Sequence, residues 1–153
     1  MKTDIDGIVN DAKAQCDKLI GSIPCRMDQL PEHLPDAAIY LFTEKGQALY
    51  VGRTNRLRRR LKYHLGNNHN QATFAFLLAR HETGQVKASY KKTGSRSDLL
   101  NQPHFRTAFD LARARIRQMS VQWIEEKCPI KQTLLEVFAA LKTGAKHNDF
   151  DNH

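Results

Sequence analysis

The chain has 153 residues, 41% hydrophobic and 26% charged, enough apolar sequence for one ordinary core without staples. Its 24 Lys and Arg against 16 Asp and Glu give a formal charge of +8, which leaves open a polyanionic partner such as nucleic acid or a solvated basic surface. Cys16, Cys25 and Cys128 form no Cys-x-x-Cys pair, and no apolar run approaches the roughly 20 residues of a membrane span, so a zinc site, a disulfide framework and a transmembrane helix are not expected.

In chain order, Ile5, Ile8, Ala12, Cys16 and Leu19 recur at helical spacing and predict a helix over 3–20, stopped by Gly21. It reads as a structural buttress or a dimer contact. Pro24, Pro31 and Pro35 mark an irregular connection. Ala37 to Thr43 and Ala48 to Gly52 read as two strands joined by a turn over Glu44-Lys45-Gly46-Gln47, hence a hairpin. Asn55 can cap a following helix with Leu57, Leu61 and Leu65 as its apolar stripe. A further helix spans Gln71 to Glu82, burying Phe74, Leu77 and Leu78. The segment from Gly84 to Asp98 is polar and basic and fits an extended stretch with a mobile loop. Pro103 suits the first turn of a long helix, Ser120 to Ile124 is a third strand, and Ile130 to Lys142 is a last helix capped by Gly144.

Two features point to chemistry. Tyr40 and Tyr50 sit in adjacent strand-like runs, which lie about 5 Å apart when paired, so two phenols can share one site. Arg53 to Lys62 then holds six basic residues and no acidic one. With Leu57 and Leu61 facing inward, Arg60 and His64 fall on one helix face at i, i+4, while Arg58, Arg59 and Lys62 point outward. A guanidinium held beside packed leucines is placed to grip a phosphate with two parallel hydrogen bonds. Arg53, Arg56, Arg58, Arg59, Lys62, Lys91, Lys92 and Arg96 are candidate contacts to a nucleic-acid backbone; a merely solvated face is the competing reading.

The runs Ala38-Ile39-Tyr40 and Tyr50-Val51-Gly52, followed by Asn55-Arg56-Leu57-Arg58-Arg59-Arg60-Leu61, resemble the GIY-YIG endonuclease superfamily. Leu134-Leu135-Glu136, with Asn148 about twelve residues beyond, fits the family's late glutamate and asparagine. The resemblance spans residues 37 to 150 and departs from the pattern at Ala38, which stands for a glycine. It implies an α+β domain: a small three-stranded antiparallel sheet flanked by helices over 37–153, with 1–36 an added helix and connector. It implies hydrolysis of DNA phosphodiesters with one divalent ion, Mg²⁺ or Mn²⁺. The three widely spaced cysteines, for their part, predict reduced thiols in a cytoplasmic protein. The roles the resemblance carries over are the family tyrosines for Tyr40 and Tyr50, the essential arginine for Arg60, a nearby histidine for His64, the metal carboxylate for Glu136 and a supporting amide for Asn148. Glu125 and Glu126 are rival carboxylates at a strand end and rank below Glu136. A nucleic-acid-binding module of the same fold with lost or weak cleavage and a partner-docking adaptor are the alternatives. A homodimer or a protein partner would use the N-terminal helix, and RNA is not excluded as substrate.

Overall fold

The structure, a computed structural model, describes residues 4–85, 96–148 and 150. In chain order the described residues form α1 (Ile5–Gly21), β1 (Cys25–Arg26), β2 (Ala38–Glu44), β3 (Gln47–Thr54), α2 (Leu57–Leu65), α3 (Thr73–Thr83), α4 (Arg96–Leu100), α5 (Pro103–Arg117), β4 (Ser120–Glu125) and α6 (Pro129–Thr143). This is an α+β fold with an antiparallel sheet in the order β1-β4-β2-β3. Four strands replace the expected three. The additional strand, β1, is two residues long and pairs Cys25 with Val121 and Arg26 with Ser120. A segment that short carries no alternation to read, and its pairing is supplied by β4 rather than by its own side chains. Among the described residues no helix is long and apolar enough to cross a membrane.

Two compact units divide the chain: residues 1–58 with 119–153, and residues 59–118. The first holds the whole sheet with α1 and α6. Its hairpin turns at Lys45 and Gly46, whose φ values of 50° and 78° are both left-handed, as a two-residue turn between twisted strands requires. Strand alternation then sorts the side chains. Ile39, Leu41 and Val51 face one way and pack with Cys16 and Leu19 of α1 and Leu135, Ala139 and Ala140 of α6. Register puts Tyr40, Phe42, Tyr50, Gly52 and Trp123 on the other face. Gln122 of β4 is buried and donates to the carbonyls of Leu19, Ile20 and Ser22, satisfying the end of α1 and tying that helix to the sheet. The expected N-terminal helix thus buries its apolar stripe in the same unit as the sheet, although Ile5 remains 71% exposed.

β3 is an edge strand, and the segment after α6 lies along it. The amides of Lys146 and His147 donate to the carbonyls of Ala48 and Leu49 at 3.4 and 2.8 Å. An edge left open is a template for unwanted pairing, and this short segment covers it.

In the second unit α3 packs on α5. Phe76 meets Phe105 and Phe109 with ring centroids 5.1 and 6.3 Å apart, and Leu61, Leu99 and Ile116 are fully buried. Lys87, Lys91 and Lys92 lie outside the described residues.

Candidate functional site

Tyr40 and Tyr50 come together on one sheet face, their ring centroids 6.4 Å apart. Tyr40 is fully buried and meets Phe42 edge-on at 5.7 Å, whereas Tyr50 is half-buried. Tyr40 is paired directly opposite Gly52, and a Cβ placed on Gly52 would overlap the Tyr40 hydroxyl and the ring carbon that bears it. The glycine of the Tyr50-Val51-Gly52 run is therefore the space through which the other phenol passes. Ala38 is fully buried, so its methyl group faces protein interior.

Glu136 lies on α6 and meets Arg53 of β3, Oε2 to Nε at 3.9 Å. Its side chain is 27% exposed, and burial pushes its pKa above the usual carboxylate range despite the opposing pull of Arg53. A long single contact to a solvated guanidinium compensates that carboxylate weakly. One turn earlier on α6, Gln132 is 3% exposed and its Nε2 donates to Asn55 Oδ1 at 3.1 Å and to the Glu126 carbonyl at 2.6 Å. Gln132 thus holds the glutamate-bearing helix against the residue that follows β3. Asn55 is used in this tie, and the start of α2 is satisfied otherwise: Thr54 Oγ1 accepts from the Arg56 amide, and the Asp36 carbonyl accepts from the Leu57 amide. Gln132 escaped the sequence reading; its one signal was a polar residue on the inward stripe of an amphipathic helix.

Asn148 uses both ends of its amide on Val51. Its Oδ1 accepts from the Val51 N–H at 2.7 Å and its Nδ2 donates to the Val51 carbonyl at 2.8 Å. Tyr50, Val51 and Arg53 lie within about 10 Å along one strand, so β3 is the element on which the tyrosine, the asparagine clamp and the partner of Glu136 all depend.

The expected basic contacts divide by what already holds them. Arg58 donates to the carbonyls of Pro31 and Glu32, fastening the proline-rich connection. Arg59 is bonded to the Tyr63 hydroxyl and stacked on its ring at 5.2 Å. Arg56 and Lys62 are exposed and have no ion pair among the described residues. In the second unit Arg60 is half-buried and donates to the Gln71 carbonyl and Thr73 Oγ1 at 3.4 and 3.3 Å. His64 is fully buried beside Phe74, and burial, reinforced by the Arg60 charge, lowers its pKa to about 3. At neutral pH it is a neutral imidazole.

Among the described residues no three His, Cys, Asp or Glu side chains are grouped to hold a metal. Glu136, a described carboxylate whose charged form burial disfavours, fits a hard cation that keeps most of its waters and takes further oxygens from a phosphate, as Mg²⁺ does.

Residues 36–102 match the family model described as the GIY-YIG catalytic domain. The match contains Tyr40, Tyr50, Arg60 and His64, while Glu136 and Asn148 lie beyond it. No curated protein and no solved structure matches the chain.

Proposed function

From a GIY-YIG catalytic domain over residues 36–102, which supports membership of the GIY-YIG superfamily, we propose that the protein is an endonuclease that hydrolyses DNA phosphodiesters with one divalent ion. The observation that carries this reading is the family match over the tyrosine pair, and a desolvated glutamate anchored beside the same strand supports it.

The proposed site is Tyr40, Tyr50, Arg60, His64, Glu136 and Asn148, of which Tyr50, Arg60 and Glu136 would meet the substrate, its water or the metal and the others would position them. Glu136 would hold Mg²⁺ or Mn²⁺; when bound, that ion supplies a positive charge that polarises a phosphate oxygen and stabilises the leaving oxygen. Tyr50, half-buried, is the phenol open to a water and would orient it for attack on phosphorus. A phenol near its ordinary pKa of about 10 is a weak base at neutral pH, so orientation is its larger share. Tyr40 is buried against Gly52 and fixes the ring of Tyr50 by packing. Arg60 is assigned from the motif to offset charge on the phosphorus oxygens. His64, neutral and buried, supports α2 as a packing group rather than as a proton carrier at neutral pH. Asn148 holds the main chain next to Tyr50.

The test is a cleavage panel. Duplex, single-stranded and branched DNA, and RNA, are incubated with wild type, Tyr50→Phe and Arg60→Ala, with Mg²⁺, with Mn²⁺ and with chelator. The expected result is divalent-dependent cutting of at least one DNA form by wild type, reduced about 100-fold or more in Arg60→Ala. Equal product from wild type and Arg60→Ala would end the proposal.

A further inference from the structure

Residues 59–118 hold three arginines and a histidine that the proposed reaction does not use. Their centre is the ring of Phe76. The Arg80 guanidinium carbon lies 4.8 Å from the ring centroid, that of Arg96 lies 5.0 Å away, and the His69 ring is at 6.3 Å. Phe76 packs on Phe109, whose own ring carries Arg106 at 5.7 Å. An aromatic face attracts a cation but does not neutralise it.

Arg80 is only 3% exposed. Its Nη1 donates to the Gln85 carbonyl at 3.2 Å, as the Arg96 Nη1 does to the His69 carbonyl at 3.2 Å, and among the described residues the buried Nη2 of Arg80 has no hydrogen-bond partner. Among the described residues no carboxylate pairs with Arg80 or Arg96; Asp110 takes up Arg106 and Arg113 at 3.6 and 3.1 Å. Burial, then Arg96, lowers the pKa of Arg80; burial, then Arg96 and Arg106, lowers that of His69. A buried guanidinium normally comes with a counter-charge. Here two guanidinium groups, Arg80 and Arg96, share one ring, with no carboxylate paired to either among the described residues.

We propose that Arg80, Arg96, Arg106 and His69 form a binding site for a phosphate group. Two guanidinium forks match the oxygens of a tetrahedral phosphate better than those of a small halide. Arg96, Arg106 and His69 are half-buried and so reach solvent, while Arg80 adds charge from the interior. A nucleic-acid backbone and inorganic phosphate share this chemistry. The site stands on the geometry of the second unit alone and does not depend on nuclease activity.

The test is thermal melting of the full chain in inorganic phosphate against chloride at equal ionic strength. Wild type should gain about 3 °C at ten times the dissociation constant. Arg96→Met and, separately, Arg106→Met should lose that gain while keeping a native circular-dichroism spectrum. A wild type indifferent to phosphate, or a gain that survives in a folded variant, would overturn the proposal. A second arm separates the two phosphate sources. With duplex DNA, in a Glu136→Gln background that prevents cutting, Arg96→Met lowers the slope of log affinity against log salt by about one if backbone phosphate occupies the site. An unchanged slope beside a lost thermal gain assigns the site to free phosphate.

Discussion

Gly52 faces the ring of Tyr40 with no room for a methyl group. Gly52→Ala should therefore destabilise the protein by about 1–3 kcal/mol in urea unfolding, through overpacking rather than backbone strain. In a Tyr40→Leu background, which removes the obstructing atoms, the same change should cost less, and equal costs would contradict this account. His64 gives a second residue-scale prediction. Its pKa falls from 6.5 in the unfolded chain to about 3 in the fold, so the folded protein refuses a proton that the unfolded chain accepts. The stabilising contribution is complete above pH 6.5 and is lost as pH falls toward 3, on the order of 4–5 kcal/mol in all. His64→Phe should flatten the acid limb of stability measured by urea unfolding from pH 7 to pH 4; an unchanged limb would count against it. The residues at this scale were unevenly legible. The tyrosines stood out by pattern, and the inward leucines correctly put His64 on their side of α2. The reason for Gly52, and the carbonyls that hold Arg58, depend on atoms brought in from β2 and from the connection at Pro31 and Glu32.

At the scale of elements, the hairpin, the late strand and the long helices were readable because each carries its own apolar period over several residues. β1 and the segment 146–148 were not, because they pair through main-chain groups and have no pattern of their own. The second omission matters more. The resemblance makes Asn148 a supporting amide, and in the fold both ends of that amide bond the backbone of β3. Asn148→Ala should strand two main-chain groups at Val51 and lower stability by about 1–3 kcal/mol. Amide exchange at Val51 should accelerate by at least tenfold; protection equal to wild type would show that the clamp carries no stability. Gln132 acts on the same scale, tying α6 to the residue after β3 one turn before Glu136.

The whole molecule carries a formal charge of +8, and several of its arginines are already committed to carbonyls, rings or Glu136. The basic side chains that remain exposed without an ion pair among the described residues include Arg56 and Lys62. If the substrate is DNA, replacing both by Gln should lower the salt slope of binding by about two, with cleavage at saturating DNA largely retained. A slope that does not move would assign these two residues to solvation. At this scale the sequence pointed to a site in two halves, a tyrosine–arginine block and a late Glu–Asn pair. It did not show Arg53 as the partner of Glu136, because the two are eighty-odd residues apart and meet only where α6 crosses beside β3.

If Glu136 holds the metal as proposed, it serves catalysis at the expense of stability. The most direct measurement pairs two readouts on Glu136→Gln: divalent-dependent nicking of supercoiled plasmid, and thermal melting. Removing a carboxylate that burial disfavours should leave the melting temperature equal to wild type or higher, while nicking falls by a factor of about 1,000 or more. Undiminished nicking by a folded Glu136→Gln protein would contradict the account.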